Sequence, residues 1–100
     1  MIIAYTDENE CDFAIRFDDE SKADKVKEAI KVGINAWYEA AHDDIEPNEY
    51  WDKEYIEGFY DCGYAEPTME LLDMWGIKHE VIDVEYDDNG NVICDELVYG

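Results

Sequence analysis

The chain has 100 residues, of which 28 are acidic and 7 basic, for a formal charge of -21. That length fits one domain, and 47% apolar with 14% aromatic residues is too rich in core-forming side chains for an acidic disordered tail. The charge excludes a basic nucleic-acid-binding surface and disfavours anionic lipid, and no apolar run approaches the length of a membrane span.

Met1 to Tyr5 is apolar but is cut short by Thr6-Asp7-Glu8 and has no basic flank, so no secretory leader is expected. Ile2 to Thr6 instead reads as a short strand, and Asp7-Glu8-Asn9-Glu10 as a turn. Phe13, Ile15 and Phe17 alternate with Asp12, Ala14 and Arg16, the period-2 pattern of a second, half-buried strand. Together they predict a hairpin.

Asp18-Asp19-Glu20-Ser21 is a helix start, with Ser21 and Asp24 spaced as a capping box. Ala23, Val26, Ile30, Gly33, Ile34, Trp37 and Ala41 then recur at helical spacing, the clearest helix in the chain. Its outer face carries Lys22, Lys25, Lys27 and Lys31, with Asp24–Lys27 and Glu28–Lys31 as i,i+3 pairs. His42, near the end of this helix, sits where the dipole favours an imidazolium.

Asp43 to Asn48 reads as a loop, and Pro47 or Asn48 as the start of a second helix. Trp51, Tyr55, Phe59 and Cys62 form one face of that helix, with Gly63 as its stop. On the opposite side Tyr50, Glu54, Glu57 and Asp61 fall at i, i+4, i+7 and i+11, a solvent-facing stripe of three carboxylates and a phenol. A third, short helix carries Pro67 in its first turn, buries Leu71, Leu72 and Trp75, and ends at Gly76. Glu66, Glu70 and Asp73 repeat the acidic spacing on it.

Ile82, Val84 and Tyr86 alternate with acids as a third strand, Asp87-Asp88-Asn89-Gly90 is a hairpin turn, and Val92 to Tyr99 is the return strand. The order ββαααββ predicts an α+β fold: a four-stranded, mostly antiparallel sheet with helices packed on one face, as a single domain over residues 1–100. Glu85 to Glu96 also fits much of a calcium loop. Against that, position 1 is Glu85, position 9 is Ile93, and the entry is a strand where an EF-hand needs a helix. A hairpin accounts for the same residues, so no metal or other cofactor is expected.

Chemistry-bearing motifs are few. His42 and His79 have no Cys or His partner at zinc spacing. Cys11, Cys62 and Cys94 are odd in number and far apart, which points to buried thiols in a reducing cytosol and so to a cytoplasmic protein. No nucleophile motif and no phosphate-cradling glycine loop is present, and the expectation is a binding protein with no catalytic residues.

The charge carries the functional reading. Residues 41–100 hold 18 acids against Lys53 and Lys78 alone. Acids at i,i+3 and i,i+4 each cost a helix about 0.2–0.5 kcal/mol, and acids near a helix C-terminus oppose the dipole, so local helix stability does not explain the stripes. A helix with an acid every three to four residues presents one carboxylate per ~5 Å, which approaches the one phosphate per ~3.4 Å on each strand of a duplex. Asp43, Asp44, Glu46, Tyr50, Glu54, Glu57, Asp61, Glu66, Glu70 and Asp73 are therefore the candidate partner-binding residues. A solvated acidic face that serves solubility is the plainer account of the same residues.

In its size, its charge and the acidic, aromatic-rich segment Glu49 to Asp61, the chain resembles the small acidic proteins of phages and mobile elements that inhibit host nucleases by imitating DNA, the anti-CRISPR and anti-restriction proteins. The resemblance implies a basic nucleic-acid-binding protein as partner, such as a Cas or restriction nuclease, whose DNA groove the acidic face would occupy. Alternatives are an immunity- or antitoxin-like inhibitor of a basic protein, an acidic calcium-binding module, and a halophilic surface. Six of the seven cations are lysine, which halophilic surfaces usually shed.

Overall fold

In the computed structural model, which describes residues 1–99, the chain forms four strands and three helices in the order β1 (Ile2–Thr6), β2 (Phe13–Arg16), α1 (Ala23–His42), α2 (Lys53–Glu57), α3 (Glu66–Met74), β3 (Glu80–Ile82) and β4 (Glu96–Tyr99). The fold is α+β. The sheet order is β3-β2-β1-β4, with two antiparallel pairings and one parallel pairing, β1 with β4.

The register explains the alternation in the strands. Ile3 opposes Ile15 and Tyr5 opposes Phe13, and these four side chains enter the core below α1. Val98 joins them beside Tyr5, and Val81 beside Ile15. On the other face the row Ile82, Ala14, Ala4 and Leu97 crosses all four strands. Ala4 and Ala14 are buried although they face away from α1. Residues 83–95 leave β3 at one edge and enter β4 at the other, so they cross this face, and the two alanines leave room for the crossing.

The sequence predicts that β3 and β4 form a hairpin, and that expectation needs correction. The turn exists: Tyr86 bridges Val92, Asp87 N–H donates to the Asn91 carbonyl (2.8 Å), and Gly90 has φ +80°. Beyond it the two segments part. β3 takes the free edge of β2, and β4 takes the free edge of β1. Within the turn Asp87 Oδ1 accepts from the N–H groups of Asn89 and Asn91, both 2.9 Å, an Asx turn.

α1 follows its predicted apolar face, burying Val26, Ala29, Ile30, Gly33, Ile34 and Ala36. Its start differs. Asp19 caps a 3-10 turn, Glu20–Lys22, by accepting from Ser21 N–H (3.1 Å), so Ser21 lies inside the turn and does not cap. Lys27 pairs with Asp24 (3.4 Å) as expected and also reaches Glu96 of β4 (3.4 Å), whereas Glu28 pairs with Lys25 (3.6 Å). α3 ends as predicted, in a Schellman motif: Gly76 has φ +70°, Gly76 N–H meets the Asp73 carbonyl (3.1 Å), and Ile77 N–H meets that of Leu72 (2.9 Å).

The second helix departs most from its prediction. The continuous helix expected from Pro47 or Asn48 to Gly63 is a five-residue α2 followed by a 3-10 turn, Gly58–Asp61. Asn48 heads a separate turn, its Oδ1 accepting from Tyr50 N–H (2.8 Å) and Trp51 N–H (3.0 Å). Asp52 caps α2 through Tyr55 N–H (2.8 Å). The tighter winding sends Ile56 and Phe59 inward with Trp51 and leaves Tyr55 and Cys62 exposed. Gly63 does not act as a left-handed stop, since the turn ends at extended Cys62.

α1 and α3 cross closely at Gly33. A Cβ there would lie 2.5 Å from Thr68 Oγ1 and 2.6 Å from Thr68 N. Thr68 is fully buried and donates its hydroxyl to the Ala29 carbonyl (3.2 Å). Gly33→Ala gains about 1 kcal/mol of helix propensity, but it meets backbone atoms that cannot swing away, and overpacking costs about 1–3 kcal/mol or more. We expect a net loss of about 1–2 kcal/mol in urea unfolding. A variant as stable as the parent would mean that the two helices part freely.

Candidate functional site

The middle segment, which carries most of the candidate acids, is tied to α1 at two places. At one end Trp37 Nε1 donates to the Cys62 carbonyl (3.0 Å), and at the other Lys25 sits 4.9 Å from the centroid of the Trp75 ring. Twelve residues of helix separate Lys25 from Trp37, roughly 18 Å. Residues 50–75 carry seven acids (Asp52, Glu54, Glu57, Asp61, Glu66, Glu70 and Asp73) and one cation, Lys53.

The structure places the ten candidate residues unequally. Asp43, Asp44 and Glu46 are exposed in the loop after α1, which buried Ile45 pins to the core. Glu54, Glu57, Asp61, Glu66 and Asp73 are exposed. Asp73 also lies 3.9 Å from His79 Nδ1. Glu70 is half-buried and accepts a hydrogen bond from the Tyr55 hydroxyl. Tyr50 is no part of an exposed stripe: it precedes α2, is half-buried, and packs edge-on against Trp75, with ring centroids 5.6 Å apart. The 3-10 turn breaks the single stripe expected along the second helix, and acids from α2 and α3 meet across a groove instead.

That groove has a volume of about 480 Å³ and is lined by Asp52, Glu54, Tyr55, Gly58, Phe59, Cys62 and Glu70. Tyr55 is 50% exposed, yet three neighbours fix its ring. Trp51 lies parallel to it (13°, 6.4 Å), Phe59 stands edge-on (5.6 Å), and Glu70 holds its hydroxyl. The hydrogen bond to Glu70 and the charge of that carboxylate push the Tyr55 phenol above its ordinary range. Helical spacing puts Tyr55 on one face with Trp51, Phe59 and Cys62, whereas the structure leaves its ring in the groove beside Asp52, which is not among the ten candidate residues. Asp52 is legible in the sequence only as a cap residue type ahead of α2, not as part of a site.

Asp43 occupies a costly position. It ends α1 at φ 54°, ψ 34°, the left-handed conformation in which glycine is the usual residue, and Asp44 N–H reaches back to the Glu39 carbonyl (3.1 Å). An aspartate there opposes both the backbone preference and the helix dipole.

A second polar cluster, outside the candidate set, lies where the β1–β2 loop meets α1. Asp7 accepts from the hydroxyls of Tyr38 and Tyr5 (the latter 3.1 Å) and from the N–H groups of Asn9 (2.9 Å) and Cys11 (3.0 Å). These four donors use the acceptor capacity of the carboxylate, so Asp7 is a structural joint. Burial opposes its charge, but the four hydrogen bonds outweigh burial and hold Asp7 below the usual carboxylate range. Burial and then the bond to Asp7 raise the phenols of Tyr5 and Tyr38.

Among the described residues no group of three or more His, Cys, Asp or Glu side chains gathers to hold a metal ion, and no helix is long and apolar enough to cross a membrane. No family model, curated protein or solved structure matches the chain.

The Asp7 joint sets a pH dependence. Its folded pKa is depressed below the unfolded value near 3.9, so the stability it adds is present above that value and is lost as pH falls through the folded pKa. Asp7→Asn should melt below the parent at pH 6, with the gap narrowing as the pH falls below the unfolded value of about 3.9. Melting curves that keep a constant gap down to pH 2 would show that the charge of Asp7 is immaterial.

Proposed function

We propose that the chain is a non-enzymatic binding protein that presents the acidic side built on α2 and α3 to the basic groove of a nucleic-acid-binding protein and inhibits it by taking the place of DNA. The observation that carries this reading is Asp43. An acid held in a left-handed conformation at the negative end of a helix lowers the stability of the fold, and strain of this kind is common at functional surfaces. The charge of the segment supports it: residues 50–75 carry seven acids against the single cation Lys53.

In this reading the exposed carboxylates Asp43, Asp44, Glu46, Glu54, Glu57, Asp61, Glu66 and Asp73 stand in for phosphates. Glu70 takes part from the groove wall, and Tyr50 supports Trp75. The partner is a protein with a cationic cleft, of the Cas or restriction-nuclease kind. A second reading, an immunity- or antitoxin-like inhibitor of a basic protein with no DNA-like geometry, is favoured by the exposed Tyr55, Tyr60 and Met74 (50, 60 and 57% exposed), apolar anchors of the sort that protein interfaces use.

Two measurements test the proposal. With purified basic nucleases, the chain should displace a fluorescent duplex from its target, with displacement lost between 0.1 and about 1 M salt as charges are screened. The triple variant Glu54→Gln, Glu57→Gln, Asp61→Asn should weaken displacement by about tenfold or more. A target that binds chain and duplex together would overturn DNA replacement and leave the second reading. Asp43→Gly should stabilise the fold by roughly 0.5–1 kcal/mol while weakening target binding. A variant that is stabilised and binds as well as the parent removes Asp43 from the interface.

A further inference from the structure

We propose that the groove between α2 and α3 receives an arginine side chain of the basic partner, with the guanidinium lying against the Tyr55 ring and hydrogen-bonded to Glu54 and Glu70. The assignment rests on the acidic-side reading above and names the chemistry of its centre. A phosphate mimic needs carboxylates at intervals along a surface. It has no need of a groove, or of an aromatic ring fixed on three sides and left half-open.

The occupant follows from charge and shape. Asp52, Glu54 and Glu70 all line the groove, and among the described residues none of them makes an ion pair with a cation of the chain. Phe59 and the Tyr55 ring give it an apolar wall. Carboxylates beside an aromatic face match guanidinium, which is planar and always charged, donates in a fork, and stacks on rings. Ammonium matches the charge alone. The Tyr55 hydroxyl occupies Glu70 Oε1, which leaves Oε2 for a second donor.

Gly58 supplies a selective probe. It lines the groove with φ -68° and ψ -17°, and a Cβ built on it meets nothing within 4 Å. A side chain there is accepted by the backbone and fills the groove without removing any acid. Gly58→Leu therefore separates the groove from the charge.

The test titrates the full-length, ¹⁵N-labelled chain with three capped tripeptides, Gly-Arg-Gly, Gly-Lys-Gly and Gly-citrulline-Gly. The arginine peptide should shift the amides of Tyr55, Gly58, Cys62 and Glu70 in a saturable way, about two- to fivefold more tightly than the lysine peptide. Citrulline, which keeps the shape and loses the charge, should give no saturable shift. Gly58→Leu should abolish the arginine shifts, and Tyr55→Phe should keep the ring-dependent preference for arginine over lysine. Equal, diffuse shifts by arginine and lysine across all the acids would overturn the groove and leave the acidic-side reading standing. Undiminished arginine binding by Gly58→Leu would overturn it too. Groove shifts in a chain that displaces no duplex from any basic target would uphold the groove and remove the DNA-replacement reading.

Discussion

The acidic half of the molecule depends on one close contact, the crossing of α1 over α3 at Gly33 and Thr68. Removing a side chain from Gly33 lets Thr68 backbone approach to a distance that no Cβ would permit. The Thr68 hydroxyl then bonds to the Ala29 carbonyl inside the contact. With α3 held this near, Leu71 and Leu72 reach the common core, and Glu70 is left on the side that faces Tyr55. Hydrophobic burial fixes the helix pair, and the carboxylates follow from it. Their mutual repulsion opposes the arrangement, so the apolar contacts must exceed it.

Single polar ties join the remaining parts to this frame. Trp37 Nε1 holds the carbonyl of Cys62 and so fixes the end of the 3-10 turn to α1. The Tyr64 hydroxyl donates to the Asp12 carbonyl (3.1 Å), linking the segment before α3 to the sheet. Asp7 collects two tyrosines and two backbone N–H groups where β1 gives way to its loop. Each tie satisfies a polar group at the margin of an apolar contact, where leaving it unpaired costs about 1–3 kcal/mol. Aromatic residues with a polar tip suit these positions because one side chain serves both the core and the tie.

Much of the fold was legible in the sequence wherever a local signal and the tertiary solution agree. α1 shows its buried face through 3.6-residue spacing, and Gly76 marks the end of α3 by a conformation that glycine adopts readily. The second helix misled because Trp51, Tyr55, Phe59 and Cys62 fit a helical period, while Ile56 has the stronger claim on the core. A change from α to 3-10 winding at Gly58 satisfies Ile56 and Phe59 together, and no local pattern announces it. The terminal strands misled for another reason. Asp87 to Gly90 does form its turn, but whether the flanking strands pair with each other or with the free edges of β2 and β1 is decided by distant residues. For the candidate site, helical spacing separates neither half-buried Glu70 from the exposed acids nor Tyr50 from an exposed stripe. The groove was not visible, because it is made by the approach of α2 to α3.

The parallel pairing of β1 with β4 has a temporal consequence. β1 is central in the sheet, yet one of its neighbours lies at the far end of the sequence: Ile2 N–H donates to Asp95 Oδ2 across 93 residues. On a ribosome adding ~5–20 residues per second, β1 waits roughly 5–20 s before that neighbour has been made. During that interval the hairpin of β1 and β2 presents an unpaired apolar edge, and closing so long a loop is intrinsically slow. The dense negative charge gives this interval a second meaning. Copies that repel one another pair edge to edge less readily, and because residues 41–100 carry 18 of the 28 acids, that repulsion grows as the rest of the chain is added.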